Sequence, residues 1–345
     1  MGIFLTAIQA APFAYIANNG SNTVSMIDTA TNTVVATVGV GLGPFGVAVN
    51  PAGTRVYVTN NAGGTVSVID TSSNTVVATI PVGSGIPVPV GIAVNPSGTR
   101  VYVAVGGNGI VSVIDTSSNT VVANVNIPGC YGVAVNSAGT RVYVTNSTGS
   151  VSVIDSSSNA VVATITVGSA LAGTHGVAVN PAGTRVYVAN FGIPLVSVID
   201  TSSNTVIATV GTGGFGPFGV AINPAGTRVY VAYHYSNNVE VIDTSSNTVI
   251  ATITGVGTMP VGVSINPAGT RLYVANSGSN NVSVIDTSSN TVVATVVVGA
   301  NPYSFGAFIG PGSSLPQTPA PPSLVLTAVG IAFLALYWMR LRRSA

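Results

Sequence analysis

The sequence predicts an all-β fold: a seven-bladed β-propeller of four-stranded blades, followed by one C-terminal transmembrane helix. Three observations predict it. One phrase recurs seven times, ending a segment at Asp28, Asp70, Asp115, Asp155, Asp200, Asp243 and Asp286, at steps of 42, 45, 40, 45, 43 and 43 residues. Each full copy divides into four short runs rich in Val, Ile, Tyr and Thr, and a period of this size with four runs marks a propeller blade. The run count leaves three strands at the N-terminal end and one at the C-terminal end, which together make the last blade.

The runs read in order as strands a to d. Strand a is Gly-Val-Ala-Val-Asn, starting at Gly46, Gly91, Gly132, Gly176, Gly219 and Gly262. A Pro-Ala-Gly turn follows, where the ladder no longer needs the proline N–H. Strand b is Arg-Val-Tyr-Val-Thr/Ala-Asn, and a loop of Gly, Asn and Ser leads to strand c, Val-Ser-Val-Ile-Asp. The Thr-Ser-Ser-Asn turn suits a tight reversal, because Asp and Ser side chains bond nearby N–H groups and Asn tolerates positive φ. Strand d is Thr-Val-Val-Ala-Thr-Ile/Val. The N-terminus supplies b, c and d at Ala14, Val24 and Thr33, and Phe305 to Ile309 supplies the missing a. Closure of this kind hides the end blades from edge pairing. The propeller is therefore expected over residues 13–309.

Charged residues make up 5 % of the 345, against a usual share of about 25 %. There is no Lys. Six of the nine Arg occupy one repeat position, and the other three close the chain. With six Arg against eight acids the propeller carries a net −2, so it offers no electrostatic footprint for nucleic acid. One cysteine, Cys130, excludes an intrachain disulfide and a cysteine-built zinc site.

Spacing within the repeat pairs the charges. If strands b and c form a hairpin matching Asn60 with Thr65, Arg55 falls opposite Asp70 on one face of the sheet. The same register pairs Arg100 with Asp115, Arg141 with Asp155, Arg185 with Asp200, Arg228 with Asp243 and Arg271 with Asp286, giving six expected cross-strand ion pairs. Asp28 faces Phe13 and has no such partner.

The strand Arg-Val-Tyr-Val-Thr-Asn at Arg55 and Arg141, with Val-Ser-Val-Ile-Asp-Thr, resembles the YVTN family of β-propeller repeats, over about residues 13 to 309. The resemblance implies an exported or cell-surface protein and leaves activity open.

Both ends carry further signals. From Ser323 to Met339 no residue is charged, and 17 helical residues span about 25 Å, enough for a bilayer core. Arg340, Arg342 and Arg343 follow, so the positive-inside rule places the C-terminus in the cytoplasm. Residues 310–322, rich in Pro, Gly and Ser, read as an extended linker. Linker, apolar run and terminal Arg together resemble a PEP-CTERM sorting signal, which implies an exosortase-type processing enzyme; Pro319, Pro321 and Pro322 stand where that signal has Pro-Glu-Pro. A rival reading is a sortase LPXTG signal at Leu315, with Pro319 in place of its Gly. Residues 1–12, mostly apolar but without a basic residue, read as a truncated signal peptide, with a plain lead-in to the first strand as the alternative.

Catalytic chemistry needs convergent nucleophiles, bases or metal ligands. The chain has two histidines. His175 takes the position held by Phe45, Val90, Tyr131, Phe218 and Val261 in other blades, and reads as a core residue. Phe191, Tyr233, His234, Tyr235 and Glu240 break the repeat in two neighbouring blades, and form a candidate binding rim. No cofactor or metal is expected. The leading expectation is an exported, envelope-anchored propeller acting as a non-catalytic scaffold with an envelope protein or polysaccharide partner. The alternatives are a propeller enzyme of the lactonase or periplasmic oxidoreductase-subunit type, and a ligand-binding module using the rim. Departures from the repeat that converge on one face near the axis would favour an active site; scattered departures would favour a scaffold.

Overall fold

A computed structural model describes residues 12–168 and 173–311. It contains seven antiparallel sheets arranged as a β-propeller. Blades are numbered 1 to 7 along the chain, over residues 13–39, 44–81, 89–126, 130–166, 174–211, 217–253 and 260–297. In blade 2 the strands are Pro44–Val49 (a), Arg55–Asn60 (b), Thr65–Asp70 (c) and Thr75–Pro81 (d), paired in sequence order. Strand b is buried from its second residue to its last, while strand d alternates and turns Val77 to solvent. The alternation follows from the side-chain period of two. The repeat tyrosines Tyr57, Tyr102, Tyr143, Tyr187, Tyr230 and Tyr273 are among the largest fully buried side chains and fill the space between blades.

Blade 1 closes the ring as the strand count requires. Its own sheet has three strands, and the C-terminal stretch lies beside the first of them through bridges Ala14–Ile309 and Asn18–Pro302. Tyr15 N–H donates to Phe308 O at 2.9 Å, Tyr303 N–H to Ala17 O at 2.9 Å, and Gly310 N–H to Phe13 O at 3.1 Å. The fourth strand is less regular than the Phe305–Ile309 strand expected. It kinks at Gly306, with φ 126°, and bonds sideways to blade 2 through Val47 N–H to Phe305 O at 3.1 Å. Phe308 is fully buried beneath it.

Each a strand starts two residues earlier than its repeat Gly suggests. Pro44 pairs with Asn60, but the next pair is Val47 with Val58, so Phe45 and Gly46 span a β-bulge. The same bulge recurs in blades 3 to 7.

Among the described residues no helix is long and apolar enough to cross a membrane. The expected signal segment (apart from Pro12), most of the linker, Pro319, Pro321, Pro322, the apolar run, and Arg340, Arg342 and Arg343 lie outside the described residues.

Candidate functional site

The two faces of the ring differ in kind. One face is built from the a–b and c–d turns, and its chemistry hardly changes from blade to blade. The Asn50 side-chain oxygen accepts from Thr54 and Arg55 N–H at 2.8 and 2.9 Å, and Asn95, Asn136, Asn180, Asn223 and Asn266 accept likewise from the Arg N–H at their own turns. The turn Asn of strands c–d (Asn32, Asn74, Asn119, Asn159, Asn204, Asn247 and Asn290) all take φ of 52 to 56°, the left-handed conformation that Asn tolerates. Each Asp from Asp70 onward holds its turn by accepting from Ser hydroxyl and N–H groups, as Asp70 does from Ser72 and Ser73. The Ser72 hydroxyl is the main reason the Asp70 carboxyl is pulled down to about 2; Arg55 contributes least.

Arg and Asp of blades 2 to 7 stand opposite each other in register, while Asp28 of blade 1 faces Phe13. Four ion pairs form: Arg55–Asp70, Arg100–Asp115, Arg141–Asp155 and Arg271–Asp286. The other two expected pairs do not. Arg185 donates instead to Thr244 O at 2.8 Å and Arg228 to Thr287 O at 3.1 Å, each in the following blade. A guanidinium has five donors, and a carbonyl at the blade boundary competes with the exposed carboxylate.

The opposite face is built from the d–a and b–c loops, and here the blades differ. One bond between the two loops recurs in every blade. The carbonyls of Gly43, Val88, Gly129, Gly173, Gly216, Met259 and Asn301 accept from the N–H of Asn61, Gly106, Ser147, Phe191, His234, Ser277 and Asn19. The donors are thus equivalent positions, yet they are Asn, Gly, Ser, Phe and His. The residue before the acceptor is Leu42, Pro87, Pro128, Phe215, Thr258 or Ala300, equally varied.

The bulges create a third variable position. The first bulge residue is Phe45, Val90, Tyr131, His175, Phe218 or Val261, and Phe305 of the closing stretch joins them. The second is always Gly. A β-carbon on Gly46, Gly91, Gly132, Gly176 or Gly219 would lie 2.1–2.3 Å from the carbonyl oxygen of the next blade's bulge residue, so only glycine lets the blades meet. The rings converge across the axis: Phe45–Phe305 at 6.2 Å, Tyr131–Phe305 at 5.6 Å and Phe218–Phe305 at 5.6 Å between centroids. They plug one end of the central channel. The other end opens, at the face of the a–b turns, as an apolar cavity of about 320 Å³ lined by Val49, Val94, Val135, Ile222 and Ile265 among others.

His175 belongs to this plug. Its ring lies between Tyr131 (4.1 Å, 9°) and Phe191 (4.2 Å, 19°), with Phe218 edge-on at 4.6 Å. Burial, and secondarily His234, push its pKa down to about 3, so the imidazole is neutral. His234 continues the cluster at 5.9 Å from Phe218 and is also lowered, chiefly by burial. Tyr235 follows at 5.0 Å from His234 and 5.6 Å from Phe191. Both histidines and Phe191 and Tyr235 therefore gather in one aromatic cluster running from the axis toward the rim.

The other two rim residues expected from sequence do not reach the surface. Tyr233 is 0 % and Glu240 2 % exposed. They replace the Asn–Ser pair that in other blades bonds inside the sheet, as Asn60 does to Ser67 at 2.9 Å. Glu240 accepts from Gly213 N–H at 3.0 Å, and burial raises its pKa. The Tyr233 hydroxyl lies near this carboxyl without a hydrogen bond, and burial raises its pKa too. Sequence reasoning missed Phe45, Tyr131, Phe218, Tyr303 and Phe305 as members of the cluster. For all but Tyr303, which stacks on Phe45 at 4.5 Å, the signal was variation at one repeat position beside an invariant Gly. Among the described residues no group of three or more His, Cys, Asp or Glu is placed to hold a metal.

No family model matches the chain. A 45-residue stretch is 51 % identical to PE-PGRS family protein PE_PGRS18 of Mycobacterium tuberculosis, covering 13 % of this chain and 10 % of that protein. The chain thus matches about a tenth of that relative's length. Two solved structures share the fold. A chain of Kuenenia stuttgartiensis hydrazine synthase superposes with a TM-score of 0.71 at 24 % identity, covering 83 % of this chain and 98 % of that one. A functionally unknown protein from Desulfotomaculum acetoxidans superposes with a TM-score of 0.73 at 18 % identity, covering 86 % and 98 %. At these identities the likeness shows the propeller fold alone.

Proposed function

We propose that this chain is a non-catalytic binding propeller of the YVTN type, exported and held at the cell envelope, which engages its partner through the face of the d–a and b–c loops. One observation carries the reading: variation between blades is concentrated on that face, while the opposite face repeats nearly the same turns. Repeated scaffolds with one constant and one variable surface recognise partners through the variable one. Residues 323–339 with Arg340, Arg342 and Arg343 support anchoring, and the PEP-CTERM-like linker supports processing on export. The cluster favours recognition over catalysis. His175 is too weak a base for work near neutrality and is stacked on both faces. Glu240 is turned to Gly213 inside its blade.

The test is sedimentation of the full-length chain, kept in detergent, with cell-envelope material from which the membranes have been extracted, so that residues 323–339 cannot contribute. Substituting Phe191, Phe215 and Tyr235 together by Ser is expected to abolish association, while Arg55→Gln with Asp70→Asn leaves it intact. The reverse pattern would refute the reading, as would turnover of a small molecule abolished by His234→Ala.

A further inference from the structure

The identity of the ligand is a separate matter, and an inference about it rests on the variable face being the binding face. We infer that this face binds a neutral polysaccharide, with Phe215 and Tyr235 of blade 6 as the stacking platform and Phe191 and His234 beside them.

Charge is the first argument. Every Arg and Asp among the described residues lies at or beside the a–b and c–d turns, and Glu240 is buried. The variable face therefore exposes no charged side chain among the described residues. Nucleic acid, anionic lipid and acidic glycans are captured by Lys and Arg, and none is available here. An ordinary protein surface brings charges of its own, which would be desolvated against a face unable to pair them. An unsubstituted sugar polymer brings none.

Shape and chemistry are the second. A pyranose has an apolar C–H face and a hydroxyl edge, and needs an exposed ring flanked by neutral donors and acceptors. Phe215 is 65 % and Tyr235 62 % exposed. Tyr235 N–H donates to Phe215 O at 3.2 Å, so the two residues are held side by side. The Tyr235 ring rests against Gly216, where a β-carbon would come within 2.6 Å of it, and the ring is braced by Phe191 at 5.6 Å. The Tyr235 ring and the Phe215 backbone are thus fixed before a ligand arrives, which limits the entropy lost on binding. Ser236, whose hydroxyl accepts from Phe215 N–H at 2.7 Å, and Asn237 supply neutral polar groups at its edge.

The experiment is affinity electrophoresis of the full-length chain through gels containing dextran, yeast mannan, a soluble β-glucan or, as a polyanion, alginate. Retardation by at least one neutral polymer is expected, unchanged between about 50 and about 500 mM salt because no ion pair is involved. Phe215→Ala with Tyr235→Ala is expected to weaken it by about tenfold or more, the loss typical of anchor residues. Tyr235→Phe, which keeps the ring, retains binding and guards against misfolding as the cause. Retardation by alginate alone, by none of the neutral polymers, or undiminished in the double variant would overturn the inference. Periodate-oxidised envelopes separate the two readings. If they still bind the chain through the variable face, the partner is a protein, and the glycan inference falls while the binding face stands.

Discussion

The Cα of Gly176 faces the carbonyl oxygen of Phe218 in the next blade so closely that an added β-carbon would sit 2.1 Å from it. The contact is backbone to backbone, so no side chain can yield. Gly176→Ala is expected to destabilise the ring by about 1–3 kcal/mol, the usual range for overpacking. Gly211→Ala, where nothing lies within 4 Å, is the control and should be close to neutral. Denaturant midpoints of the two variants check this.

The constant face predicts an asymmetry between ion-pair partners. Asp70 is held down first by its turn and last by Arg55. Asp70→Ala should therefore lower the thermal midpoint clearly, while Arg55→Ala, removing a half-exposed partner, should scarcely move it. Equal effects would show that the pair, and not the turn, is what matters.

Acid should weaken the fold in two steps. The folded His175 pKa, near 3, lies below its ordinary value of 6.5. The unfolded chain thus binds a proton that the folded chain refuses, and stability present above pH 6.5 is lost as pH falls toward 3, by on the order of a few kcal/mol. Asp70, Asp200 and Asp243, lowered to about 2, add stability above their ordinary 3.8 that is lost as pH falls toward 2. His175→Phe, the residue blades 2 and 6 use, should shrink the upper step to the share of His234, whose pKa is also lowered by burial, and leave the lower one.

Closure depends on Phe308, fully buried under the first strand. Phe308→Ala is expected to cost about 3–5 kcal/mol, and limited proteolysis should then cut first within residues 300–311.

The Cys130 thiol is buried and its pKa is raised by that burial to about 11. It should resist a thiol reagent in the native ring at neutral pH and react fully once denatured.

Architecture was legible in the sequence because it repeats. Strand order, the left-handed Asn of the c–d turns and the Arg55-to-Asp70 register all follow from local rules applied seven times. The site was only half legible. Phe191, His234 and Tyr235 stood out by breaking the repeat, and they do come together. Tyr233 and Glu240 broke it equally but replace an Asn–Ser pair inside the sheet. Side-chain direction at a blade's inner edge decides between these outcomes, and composition does not carry it. The aromatic plug was hidden for another reason. Phe45 and Tyr131 owe their direction to a bulge, and the extra residue of a bulge appears only when strands are paired.

The latch of blade 1 also has a mechanical side. The opening strand and the closing stretch run antiparallel, and Pro12 and Pro311 lie at the same end of that pair, Gly310 N–H bonding Phe13 O beside them. A force pulling the two chain ends apart therefore loads these bonds one after another, like a zip, instead of shearing them together. Under tension on both ends blade 1 is therefore expected to open first, while the other six are still intact.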